Sequence, residues 1–247
     1  MNWDDFSHYL SEQLQKPIHI ESAAPVAGGD IHQAFHLQTQ DGSYFLKTNG
    51  SSSLGLFQTE AHSLQAIAQS NSIRCPQVYG YGIYNQQAWL LMEHLHFVHG
   101  GDDCQRGKAL AQMHKQINHD SMPFGWFEDN FIGHTLQKNQ WHFQWLTFYG
   151  QERLLPQLEL AQINGAKRSL YDLGTELIDA LPFWFQNYSP EASLLHGDLW
   201  GGNSAFVDVD SEETEAVIFD PASYYGDRET DIAMTELFGG FSQAFYQ

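Results

Sequence analysis

The chain has 247 residues, 42% of them apolar and 14% aromatic, which suits one large domain or two lobes around a cleft and argues against bulk disorder. Thirty acidic residues stand against eleven basic ones, a formal net charge of −19, so the field repels phosphate backbones and makes nucleic acid a poor partner. No apolar run approaches membrane-spanning length, the N-terminal MNWDDFSHYL has neither the basic segment nor the apolar stretch of a leader, and Cys75 and Cys104 form no CxxC pair, which together read as a cytoplasmic protein with two reduced thiols.

Trp3, Phe6, Leu10 and Leu14 recur at helical spacing behind Asp4 and Asp5, and Lys16-Pro17 closes that helix. Residues 18–27 are strand-like and run into Gly28 and Gly29. Phe35 and Leu37 alternate with polar residues, Asp41-Gly42 is a hairpin turn, and SYFLKT at 43–48 returns as a strand. Residues 51–55 read as a loop. Phe57, Ala61, Leu64 and Ala68 then mark one face of a helix, with Glu60 on its first turn. Pro76 breaks the chain, and residues 78–83 and 88–92 read as two more strands.

The composition turns polar and glycine-rich over residues 99–103. This predicts a nucleotide-binding lobe over residues 1–96 and a second lobe over 97–247. In the second, Leu110, Met113 and Ile117 mark a helix, residues 121–140 an extended insert with aromatic anchors, and 141–160 a helical stretch. Leu170, Leu173, Leu177 and Leu181 mark another helix, kinked or stopped at Pro182. Residues 208–216 read as an exposed acidic hairpin tip. Strands first and mostly helices afterwards predict an α+β fold of two lobes.

The chemistry concentrates in HGDLWGGN at 196–203 and IFDPASYYGDRETDIA at 218–233. Asp198 stands five residues before Asn203, and Asp220 follows after a strand. Phosphoryl transfer of the kinase type needs this set: a carboxylate for the acceptor hydroxyl, then an amide oxygen and a carboxylate for Mg²⁺. Singly, each has a plain structural account. Asp198 can be a cap, Asn203 a turn residue after Gly201-Gly202, and Asp220 the start of a turn before Pro221. Their order and spacing make the joint coincidence much harder to accept. Lys47 can reach phosphates over the sheet with Glu60 holding its ammonium, or the two can be an ordinary strand-end lysine and a helix acid. Gly28 and Gly29 can bring backbone amides to phosphates or be a simple turn. Glu93, His94, Leu95 and His96 leave a buried strand where an adenine edge could pair, with Met92 behind. Asp231 supports the catalytic loop or caps a helix.

These motifs, with GGDIHQAFHL, YFLKTN, LLMEHL, the insert NFIGHTLQKNQWHFQWLTFYGQERL and ELFGGF, resemble the fructosamine kinase (ketosamine-3-kinase) family, a branch of the protein-kinase-like fold. The resemblance runs from about residue 18 to the end. It implies a small antiparallel-sheet lobe and a mostly helical lobe. It implies transfer from MgATP to the third-carbon hydroxyl of ketosamines, free or protein-bound, as deglycation repair. By motif it makes Asp198 the base, Asn203 and Asp220 the metal ligands, and Lys47 with Glu60 the phosphate holder. It makes residues 93–96 the adenine hinge and lets Trp200 line the sugar pocket. The family carries a further helical segment after ELFGGF, whereas this sequence reads to Gln247, which implies open apolar surface on the second lobe. Two other readings follow: a non-catalytic nucleotide-binding pseudokinase, or a kinase of an aminoglycoside or choline-like acceptor. The intact motifs argue against the former, the insert and Trp200 against the latter.

Overall fold

The structure, a computed structural model, describes residues 1–26, 32–209 and 213–247. Gly28 and Gly29 lie outside the described residues, as does part of the acidic hairpin tip. The chain opens with α1 (Trp3–Leu14), whose N-cap Asn2 accepts from the Asp4 N–H at 3.1 Å. Then come β1 (Ile20–Val26), β2 (Gln33–Thr39), β3 (Gly42–Gly50), α2 (Leu54–Gln69), β4 (Val78–Tyr84) and β5 (Gln87–Glu93). The five strands form one antiparallel sheet in the order β1-β2-β3-β5-β4.

Strand alternation sorts this sheet's side chains onto two faces. Tyr44, Leu46, Trp89 and Leu91 pack with Phe6 and Leu10 of α1 in one core. Ala88, Leu90 and Met92 pack with Phe57, Ala61, Leu64 and Ile67 of α2 in another. The run AWLLM is therefore buried on both sides, as expected of a strand sandwiched between helices. The second core continues into the rest of the chain through Leu110, Met113, Phe148, Leu194, Leu195, Leu199 and Ile218.

Beyond the sheet follow β6 (Phe97–Val98), α3 (Asp103–Met113), β7 (Asn130–Ile132), β8 (Thr135–Gln137), α4 (Trp145–Phe148), a π-helical stretch (Tyr149–Leu154), α5 (Leu155–Ile163) and α6 (Arg168–Trp184). The chain closes with β9 (Ser193–Leu194), β10 (Ser204–Asp208), β11 (Thr214–Ile218), β12 (Tyr225–Gly226) and α7 (Glu229–Phe238). β6 pairs with β10, so the chain joins the later elements directly after residue 96. No helix among the described residues is long and apolar enough to cross a membrane.

Several sequence expectations shift. The hairpin loop is Gln40-Asp41, because Thr39 pairs with Gly42. α2 begins at Leu54 after a 3₁₀ turn, which moves Glu60 to the second turn, out of reach of a favourable helix end. Ile67 replaces Ala68 on the buried face of α2. α3 ends at Met113, and Ile117 bridges to Ser193 instead. α6 runs two residues past Pro182. Its leucine stripe is largely uncovered: Leu170, Leu173 and Leu177 are exposed and Leu181 alone of the four is buried.

Candidate active site

Lys47 reaches its place by the alternation of β3. Tyr44 and Leu46 turn to the α1 side, while Phe45 and Lys47 turn to the opposite face. There they line a cavity of about 710 Å³ together with Met92 of β5 and Glu60 of α2. The Lys47 ammonium lies 2.7 Å from Glu60 Oε1 and 2.6 Å from Asp220 Oδ1. Burial alone would lower this lysine, but the two carboxylates outweigh it and hold the ammonium above its ordinary value. Burial pushes the Glu60 carboxyl up to about 7 against the pull of Lys47. Burial opposes ionisation of Asp220 as well, yet the Lys47 charge holds its carboxyl below the ordinary range.

Asp198 sits on the loop between β9 and the 3₁₀ turn at Gly201–Asn203. Buried Leu194, Leu195 and Leu199 anchor that loop from within, whereas Trp200 is 43% exposed and faces the cavity. Asn203 Nδ2 donates to the Asp198 carbonyl at 2.8 Å and to Asp198 Oδ2 at 3.1 Å, which orients the carboxylate. Burial pushes the Asp198 carboxyl up to about 6, the Asn203 bond opposes this, and Asp220 and Asp231 add to it.

The loop is held from behind by Asp231 of α7. Its carboxylate accepts from the backbone N–H groups of His196 at 2.8 Å and Gly197 at 2.9 Å, and from His114 Nε2 at 2.9 Å. His196 is fully buried; its Nδ1 accepts from the Asp198 N–H at 3.2 Å, so Nε2 carries the hydrogen and donates to Phe219 O at 3.0 Å. Burial lowers this imidazole, in keeping with a neutral ring. Gly197 has φ +83°, and a Cβ there would run into the Ala222 carbonyl, so glycine is required.

One cavity thus gathers Lys47, Glu60, Glu93, His94, Leu95, Asp198, Trp200, Asn203 and Asp220. His96 is not among its lining residues; its ring stands edge-on to His94 at 4.7 Å. The Glu93 carboxylate turns to Arg74 at 2.8 Å, so at that position the backbone is left to serve a ligand's edge. Sequence reasoning missed His32, Phe131, Gly133 and Phe219, which also line the cavity. Nothing in their spacing marks them, because they come together only through the tertiary fold. Among the described residues no group of three or more His, Cys, Asp or Glu could hold a metal unaided. An amide oxygen and a carboxylate from Asn203 and Asp220 are hard oxygen donors, and they fit Mg²⁺ that shares its shell with water and phosphate.

Comparison with known proteins places the whole chain in a family. The family model described as "Fructosamine kinase" matches residues 2–247. A Vibrio parahaemolyticus protein named "Probable ketoamine kinase" is 37% identical over 99% of this chain and 83% of its own length. The chloroplastic protein-ribulosamine 3-kinase of Arabidopsis thaliana is 39% identical over 94% of this chain and 70% of its own. A crystal structure from Haemophilus somnus, named "Putative fructosamine-3-kinase", superposes with a TM-score of 0.84 at 29% identity, over 98% of this chain and 79% of that one. The aminoglycoside phosphotransferase APH(4)-Ia matches with a TM-score of 0.60 at 16% identity, over 92% and 74%, a likeness of fold alone. With an α+β protein-kinase-like fold and a sequence match along almost its whole length, the chain belongs to the fructosamine kinase family.

Proposed function

We propose that this protein is an ATP-dependent kinase that phosphorylates the 3-hydroxyl of ketosamines, free or carried on proteins. The observation that carries the reading is the meeting in one cavity of Lys47, Glu60, Asp198, Asn203 and Asp220, in a chain of this family. Asp198 orients the acceptor hydroxyl and takes its proton. Lys47, braced by Glu60, holds nucleotide phosphates. Asn203 and Asp220 hold Mg²⁺, which when bound neutralises charge on the phosphates. The backbone of residues 93–95 offers the adenine edge its partners, and Trp200 offers the sugar a flat apolar face.

Residues 1–96 serve as the nucleotide lobe and 97–247 as the lobe of the catalytic loop; the confinement of the five-stranded sheet to residues before 94 supports that division. The negative field favours an amine-bearing acceptor. The site of action in this reading is the cytoplasm, and the task is repair of glycated amines. The test is ADP release from MgATP with a lysine ketosamine, an aminoglycoside or choline. Turnover with the ketosamine alone is expected. Nucleotide binding without turnover on any acceptor overturns the enzyme, and turnover on the aminoglycoside alone overturns the substrate class.

A further inference from the structure

The hairpin of β7 and β8 carries buried amides that the proposed chemistry does not use. Asn130, Gln137 and Asn139 are 1%, 7% and 1% exposed. Buried amides are costly unless their donors and acceptors are paired. Asn130 Nδ2 donates to Ser223 O at 2.8 Å, and Gln137 Nε2 donates to Ala222 O at 3.0 Å and to Asn130 Oδ1 at 2.8 Å. Asn139 Nδ2 donates to the same Asn130 oxygen at 3.0 Å and is itself held by Arg153 at 2.6 Å. The other side of the segment is tied too: the Ala222 N–H donates to His196 O at 2.9 Å and the Ser223 N–H to Ser63 Oγ at 3.2 Å.

The two peptide units after Asp220-Pro221 are therefore fixed from both sides. Asp220 itself has φ +58°, a left-handed conformation that a non-glycine residue keeps only where its surroundings impose it. Pro221 narrows the choice by fixing its own φ. We infer that Asn130 and Gln137 are positioning residues that clamp the 220–223 segment and thereby aim the Asp220 carboxylate into the cavity. The hairpin is thus part of the phosphate-site machinery as well as the cavity wall, to which it lends Phe131 and Gly133. This rests on the proposed role of Asp220 as a metal ligand.

Calorimetry with adenylyl imidodiphosphate, with and without Mg²⁺, tests it without any acceptor. Gln137→Met keeps the volume and removes the donor. The expected result is an unchanged affinity in EDTA and a loss of about tenfold in the affinity that Mg²⁺ adds, the scale of one buried hydrogen bond. Asn130→Ser, expected to act in the same direction, carries the comparison if Gln137→Met does not fold. Ser7→Ala is the control: its hydroxyl accepts from the Ile20 N–H at 3.0 Å in the core under α1, far from the clamp, and it should lower the melting temperature with the Mg²⁺ gain intact. A full Mg²⁺ gain in the clamp variants, with only a lowered melting temperature, overturns the inference. A wild-type protein with no Mg²⁺ gain overturns the metal assignment of Asp220 and the clamp with it.

Discussion

Lys47 and Asp220, 173 positions apart in the chain, meet at 2.6 Å, and Glu60 closes on the same ammonium at 2.7 Å. The contact joins the strand after the first hairpin to the segment after β11. Replacing Lys47 by Met leaves two carboxylates facing each other at the phosphate end of the cavity. The expected outcome is a fall of about a hundredfold in kcat/KM for ATP, the scale of losing one preorganised electrostatic partner. Arginine should not rescue it, since a planar fork cannot occupy the point between Glu60 and Asp220 that an ammonium fills. Steady-state kinetics with ATP as the varied substrate decides; an unchanged ATP dependence would remove Lys47 from the mechanism.

Asp198 separates binding from chemistry. Asp198→Asn keeps the shape of the loop and removes the proton acceptor. Affinity for a non-hydrolysable nucleotide should stay near wild type while turnover falls by about 10²–10⁴-fold. Turnover equal to wild type would refute its assignment as the base.

The same residue sets an acid limit. Burial raises the Asp198 carboxyl to about 6, and a base works only when deprotonated. Activity should therefore be present above that pH and be lost as pH falls through it. A kcat/KM profile against pH should show an acid limb near 6. A limb at the pH of an ordinary exposed carboxylate, about 4, would mean that the titrating group is elsewhere.

Much of this site was legible because its signals are local. Asp198, Asn203 and Asp220 are ordered by short loops and one hairpin, and Lys47 follows a period-2 strand, so linear spacing carries the geometry. The pairing of Lys47 with Glu60 was legible even though the start of α2 was misplaced, since a one-turn error leaves Glu60 on the same helix. The clamp amides were not legible. Asn130, Gln137 and Asn139 read as polar residues of a loop-rich insert, and the first two are paired to carbonyls more than eighty residues away. The stripe Leu170, Leu173, Leu177 marked its helix, α6, correctly but not the fate of its face. Periodicity marks an apolar face, but whether the face is covered is a tertiary property, and here it is exposed.

Asp231 is the support whose loss should cost the most stability. It is 2% exposed and accepts from two backbone N–H groups and from His114. Burial would push its carboxyl up, but the His114 bond and charge, with the other partners, hold it below the ordinary range. Asp231→Asn turns one acceptor into a donor against groups that already donate, and it strips His114 of its charged partner. The expected loss is about 3–5 kcal/mol, as for breaking a buried pair. The pH dependence has a definite sign. A depressed folded-state pKa contributes stability above the unfolded carboxylate value, near 3.9, and that contribution is lost as pH falls through the folded value. The gap between wild type and Asp231→Asn should therefore be widest near neutrality and narrow in acid below about 4. Urea unfolding at pH 7 and in acid well below about 4 measures it; variants of equal stability at pH 7 would show that the catalytic loop is held by its leucine anchors alone.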